Sequence, residues 1–197
     1  MIADNTTTPT VLVWFRKDLR LQDNPALHAA VSGGYKILPV FVWDPEEGGQ
    51  WSPGAASRWW LHYALQSLGS DISKVGGELI LAKGKAAELI PQIAKDHGTQ
   101  KVLYGRTYDP PGLATQEQVE EALDREGIDT ESFNASLLQE PWETKNGSGN
   151  PFQVFTPYWR KSRSIIYREP VSYEPSKLSF HSSPTPKLSL DELALLP

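Results

Sequence analysis

Cysteine is absent from the 197 residues, and methionine occurs once. That absence excludes a disulfide scaffold, thiolate metal sites, a Cys nucleophile and dithiol redox chemistry. It also fits a reducing compartment, so a cytoplasmic location is expected. No apolar run approaches the roughly 18–20 residues that a membrane-crossing helix needs. The opening Met1-Ile2-Ala3-Asp4-Asn5 lacks a basic n-region and an apolar h-region, and does not read as a secretory signal. Excess positive charge is missing too. The 19 Lys+Arg stand against 24 Asp+Glu, a net charge of −5, so nothing global attracts nucleic acid. Glycine-rich phosphate loops are lacking: there is no GxGxxG after the first strand and no GxxxxGK[ST] anywhere. Gly147-Ser148-Gly149 has the spacing of neither motif. A GxSxG hydrolase elbow is also absent. His28, His62, His97 and His181 are scattered without metal-ligand spacing and read as surface or packing residues.

What remains is a chain of ordinary globular composition, 39% hydrophobic and 22% charged, enough for a real core. Length alone suggests one domain with an appendage. Half of the 16 prolines lie from Pro141 onward, where the charge balance turns slightly positive. Residues 1–9 read as a disordered tail, 10–135 as a compact acidic domain, and 136–197 as a Pro-rich linker. Ile165, Ile166, Leu178 and Leu188 stand isolated in that extension, which offers too little burial to offset the entropy of ordering it.

Within 10–135 strand and helix patterns alternate. Val11–Phe15 is a continuous apolar run, as in a strand buried on both faces. Asp23-Asn24-Pro25 starts a helix that Ser32-Gly33-Gly34 stops. Ile37–Trp43 is a second strand, in which Pro39 indicates an early or edge position. Ser52-Pro53 opens a long helix with one apolar stripe, Leu61, Leu65, Leu68, Ile72 and Val75. Glu78–Ala82, Lys101–Tyr104 and Thr130–Phe133 complete five strands. Helices over 85–97, where Pro91 should kink or restart the element, and 113–126 lie between them. The pattern implies a Rossmann-like three-layer α/β/α fold with a five-stranded parallel sheet.

In such sheets ligands sit beyond the carboxyl ends of the strands. The loop after the first strand carries Arg16, Asp18, Arg20 and Asp23. These charges form either an internal ion-pair lattice or a rim presenting guanidinium groups to a ligand.

Residues 12–24, LVWFRKDLRLQDN, resemble the N-terminal signature of the photolyase–cryptochrome family. PVFVWDPEE (39–47), SPGAASRWWLHYALQSL (52–68), Tyr108-Asp109-Pro110, SFNASLLQEPWE (132–143) and GNPFQVFTPYWR (149–160) extend the likeness to about residues 10–160. SRWWL with LLQEPWE resembles class III cyclobutane-dimer photolyases and plant-type cryptochromes.

The resemblance implies the α/β antenna domain of a blue-light-driven DNA photolyase, followed by its interdomain linker. The family's second, helical domain binds FAD and admits the lesion of UV-damaged DNA. Its residues have no counterpart in these 197 positions, so the chain alone is expected to be non-catalytic. The family's α/β domain holds an antenna chromophore, usually methenyltetrahydrofolate or a deazaflavin. Pro111-Gly112 stand where one folate-binding branch has Asn-Glu, and Thr107 where deazaflavin binders have Asp. Analogy with the class III enzymes points to folate, with Glu46, Glu47, Arg106, Tyr108 and Asp109 as the site. The carboxylates would accept pterin N–H groups, and Tyr108 or a Trp would stack on the ring. Two alternatives remain open: a plant-type cryptochrome photoreceptor, and a stand-alone nucleotide-binding α/β domain. Phe152, Phe155, Tyr158 and Trp159 read as aromatic anchors for the helical domain, with Pro151 and Pro157 preventing a regular helix.

Overall fold

The structure is a computed structural model that describes residues 8–165, 169–182 and 188–196. Residues 1–7 of the expected tail, and Ile166, lie outside the described residues. Strands β1 (Thr10–Phe15), β2 (Lys36–Trp43), β3 (Ile80–Lys83), β4 (Lys101–Gly105) and β5 (Asp129–Phe133) form one parallel sheet in the order β3-β2-β1-β4-β5. Helices α1 (Pro25–Ser32), α2 (Ala55–Lys74), α3 (Ala86–Asp96) and α4 (Pro110–Arg125) are the crossovers, and α5 (Phe155–Ser162) follows the last strand.

Strand alternation divides the core into two layers. Val11, Val13 and Phe15 of β1 face α1 and α2, joined by Leu27, Leu65, Leu68 and Ile72. Leu12 and Trp14 face α3 and α4, joined by Ile90, Val119 and Leu123. β1 therefore has no solvated side, which is why its sequence is apolar at every position from 11 to 15. Each fully buried Leu or Phe contributes roughly 1.5–3 kcal/mol. Among the described residues, no helix is long and apolar enough to cross a membrane.

Several expected elements shift for local reasons. Pro39 lies in an interior strand opposite Val13, but the β2–β3 ladder begins only at Val40 and Ile80. α3 runs through Pro91 as one helix, with the proline buried. Ser52 does not cap α2. Its hydroxyl lies 2.7 Å from the Gly49 carbonyl oxygen and 3.0 Å from that of Glu47, so it closes the preceding loop, and α2 starts at Ala55 behind Gly54.

The extension departs most from expectation. Leu178, Leu193 and Leu195 are buried in the α1/α2 layer, and Phe180, Leu188 and Leu190 pack against it. The Ile37 amide donates to Ser179 O at 2.7 Å and the His181 amide to Ile37 O at 2.9 Å, placing Phe180 beside β2. A Cβ on Gly77 would come within 2.6 Å of the Phe180 ring, so glycine is required there. Phe180 takes the place beside β2 that an earlier start of β3 would fill. Reading only isolated apolar groups missed that these leucines share one helical face as their dock.

Pro157 does not prevent a helix either. α5 forms with Val154 as its N-cap, and Pro157 sits in the first turn, where N–H groups have no intrahelical partner. Phe155 (70% exposed) stacks parallel to Trp159 at 6.3 Å, while Ser162 is the buried residue of this helix.

Two outcomes follow from this packing. Leu193→Ala, which opens a void under α1 and α2, should cost about 2–5 kcal/mol in urea unfolding; an unchanged midpoint would mean that Leu193 is not part of the core. The chain should also self-associate over a sedimentation concentration series through its uncovered aromatic patch. Phe155→Ser with Trp159→Ser should weaken that association, and a strictly monomeric parent would contradict it.

Candidate functional site

The chain leaves β1 toward β2 on one side of the sheet and later returns past β1 to β4. The loops after β1 and β4 therefore diverge, opening a crevice at the carboxyl ends of the strands. A cleft of about 420 Å³ occupies it. Trp43 lies at the end of β2, Trp51 in a short 3-10 turn, and Trp60 on α2; all three line the cleft. Trp51 and Trp60 are largely exposed and Trp43 is buried. The turn before α2 is tight enough to place Gly48 and Gly49 at φ +88° and +53°, conformations that suit glycine.

Arg16 follows β1 directly, and its side chain is only 6% exposed. Its guanidinium lies 4.4 Å over the Trp14 ring, donates from Nη2 to Gly112 O at 3.0 Å, and faces Glu47 Oε1 at 3.7 Å. Burial lowers its pKa, opposed by the charge of Glu47. Among the described residues, Nη1 is buried without a hydrogen-bond partner, as is Thr107 Oγ1. Asp109 caps α4, accepting from the Gly112 amide at 3.3 Å, and pairs with Lys17. Burial raises the Asp109 pKa, but the hydrogen bond and charge of Lys17 outweigh it and hold the carboxyl below the usual range.

The rest of the first loop is lattice. Asp18 is buried and accepts from the Arg16 amide at 3.1 Å and from Asn24 Nδ2 at 3.3 Å. Burial raises its pKa. Arg20 donates to Asp23 O at 2.8 Å and to Ala135 O at 2.9 Å, while Asp23 Oδ1 accepts from the Val171 amide. A Cβ on Gly105 would meet both Asp18 Oδ2 and Ala135 Cβ at 2.8 Å, so β4 ends in glycine where the loops converge.

Of the five residues proposed from sequence, Glu47 and Asp109 line the cleft. Glu46 lies in the adjoining turn, its amide donating to Asp44 Oδ1 at 2.9 Å. Arg106 and Tyr108 are not among the lining residues. Both bind buried Glu140, Arg106 Nε at 2.8 Å and the Tyr108 hydroxyl at 2.7 Å, with Trp142 against them. Arg106 also donates to Ser132 O at 2.9 Å. This cluster clamps the segment after β5 onto β4. The cleft residues that the sequence proposal omitted include Arg16, Lys17, Asp44, Trp43, Trp51 and Trp60. The strand-end rule applied to β1 pointed to Arg16, whereas Trp43 read only as the last residue of a buried strand. No local signal distinguished Trp60 from Trp59.

The family model for DNA photolyase matches residues 11–177. The chain is 42% identical to the deoxyribodipyrimidine photo-lyase of Agrobacterium fabrum over 153 residues, covering 78% of this chain and 31% of that protein. It is 43% identical to cryptochrome-2 of Arabidopsis thaliana over 151 residues, 76% of this chain and 24% of that one. The chain thus spans 24–31% of the length of these curated relatives. Among solved structures, a bacterial class III photolyase from Agrobacterium tumefaciens superposes with a TM-score of 0.86 at 38% identity, covering 100% of this chain and 40% of that one.

Burial, then the hydrogen bond to Glu140, pushes the Tyr108 hydroxyl up to about 12. An unfolded tyrosine ionises at ~10. The folded state keeps its proton longer, so this contribution to stability is complete below about pH 10 and lost as pH rises through about 12. Tyr108→Phe should therefore flatten the loss of stability across that window in a pH series of urea unfolding curves. Tyr173, also pushed up to about 12 by burial, leaves a residual slope. An unaltered slope in the variant would show that the Tyr108–Glu140 bond is not formed.

Proposed function

The chain belongs to the DNA photolyase family, and from that premise we propose that its cleft holds the antenna cofactor of a light-driven DNA-repair lyase. The single observation that carries this reading is an aromatic-walled cleft at the switch in strand order, with a buried arginine at its base. Methenyltetrahydrofolate is the preferred occupant, and the donor set suits it. A pterin presents N–H groups that need carboxylates, supplied by Asp44, Glu47 and Asp109. Its ring needs apolar faces, supplied by Trp43, Trp51 and Trp60. Its glutamate tail needs a cation at the rim, supplied by Lys17. When bound, such a cofactor supplies light absorption. The protein's part is to orient the ring and to exclude water from its inner edge. Glu46 shapes the turn that presents Glu47, and Arg106 with Tyr108 fixes the outer loop that flanks the cleft.

On this reading residues 136–197 join the α/β domain to a helical domain that binds FAD, and the exposed face of α5 meets that domain. The intact protein would reverse pyrimidine dimers in UV-damaged DNA in the cytoplasm. Blue-light reception without repair is the second reading, favoured by the 43% identity to a cryptochrome.

Titration of the chain with methenyltetrahydrofolate should give saturable binding of one equivalent. Trp60→Ala should weaken it by about tenfold, the loss of one ring contact of ~1.4 kcal/mol. Absence of saturable binding would remove folate as the occupant.

A further inference from the structure

At the amino ends of the strands, opposite the cleft, folding joins two histidines that sequence spacing kept apart. His97 ends α3, and His181 follows Phe180 in the strap, the segment that carries Leu178 and Phe180 onto the α1/α2 layer. Their ring centres are 5.3 Å apart, with the planes at 86°. Both residues are half-buried, so a small solute can reach them.

Both backbones are fixed. His97 is the C-cap of α3; Gly98 then takes φ +61°, and the Thr99 amide returns to Ala94 O at 2.8 Å. The His181 amide donates to Ile37 O at 2.9 Å. Thr10 Oγ1 lies 3.2 Å from Nδ1 of His181, which orients that ring and leaves Nε2 as its ligating atom.

The spacing suits a shared ion. Metal–imidazole bonds of about 2.0–2.1 Å place each ring centre about 3 Å from the ion, so two rings on one tetrahedral ion stand about 5 Å apart. Among the described residues, no group of three His, Cys, Asp or Glu side chains could hold a metal. Water therefore fills the remaining positions, and the site is open rather than closed. Imidazole ligands favour Cu2+, Ni2+ and Zn2+ over Mg2+ and Ca2+, which take oxygen ligands.

We propose that His97 and His181 form a two-histidine site for a transition-metal ion, which fastens the strap to the end of α3. The ion would bind only while the strap is docked, so its binding free energy adds to the docked state. The site is independent of the cleft and of its occupant.

The test titrates the untagged 197-residue chain with CuCl2, NiCl2, ZnCl2 or MgCl2 in a buffer that does not chelate. Calorimetry should show one equivalent of Cu2+, bound more tightly than Ni2+ or Zn2+, and no Mg2+. The thermal midpoint should rise with Cu2+ and return when EDTA is added. Hydrogen exchange at the His181 amide should slow in the bound state. His97→Gln and His181→Gln should each weaken binding about tenfold or more, while His28→Gln on α1 should leave it unchanged. If His181→Gln lowers the metal-free midpoint, His97→Gln, at a half-buried helix end, decides alone. Affinity that survives His97→Gln, or that is lost in His28→Gln, would overturn the site. No binding of Cu2+ in excess would reduce the pair to an edge-to-face packing contact. Binding with unaltered exchange at His181 would overturn the fastening of the strap.

Discussion

The structure depends on β1 being covered on both faces. A parallel strand between two helical layers cannot alternate apolar and polar residues, so every side chain from Val11 to Phe15 enters one core or the other. With β2 on one edge and β4 on the other, β1 can neither slide nor turn over without exposing both layers. That fixity reaches the cleft. Arg16 is the first residue beyond the strand, and its position is set by Phe15 below it and by Asp18, whose carboxylate takes the Arg16 amide. A chain terminus could not hold an arginine over Trp14 with one guanidinium nitrogen left unpaired; a strand end locked by a buried loop can.

The charged loop after β1 divides its labour. Asp18, Arg20 and Asp23 spend their hydrogen bonds on neighbouring Asn24 and on the distant Ala135 and Val171, joining two remote parts of the chain to the loop. Arg16 and Lys17 turn toward the crevice. The alternative between an internal lattice and a ligand-facing rim is therefore resolved residue by residue. Short-range alternation of charge does not carry that information, because the partners Gly112, Ala135 and Val171 lie 96, 115 and 148 positions away.

Much of the fold is legible in the sequence because its signals are local. The five strands, the stripe on α2 and the cap at Asn24 each arise within a few residues. The strap formed by Leu178, Phe180 and Leu193 is not legible, since its apolar residues are separated by prolines and become a set only on the α1/α2 face. For the site, strand-end reasoning found the crevice, Glu47 and Asp109. Arg106 and Tyr108 also lie at the end of β4, but which way a side chain turns is decided by Glu140, a residue of a later segment. Proximity to a strand end is a topological property; direction is a tertiary one.

The strap also sets a timetable for synthesis. Thr10 and His181, hydrogen-bonded side chain to side chain, are separated by 171 positions. On the ribosome all five strands emerge while the α1/α2 layer still lacks Leu178, Leu193 and Leu195. At ~5–20 residues per second, that layer waits several seconds for its last leucines. During this interval Phe180's place beside β2 is vacant, and the first half of that strand is an open edge next to apolar helices. Completion of the sheet is thus a late event in the birth of the chain, and the interval before it is when a chaperone has most to cover.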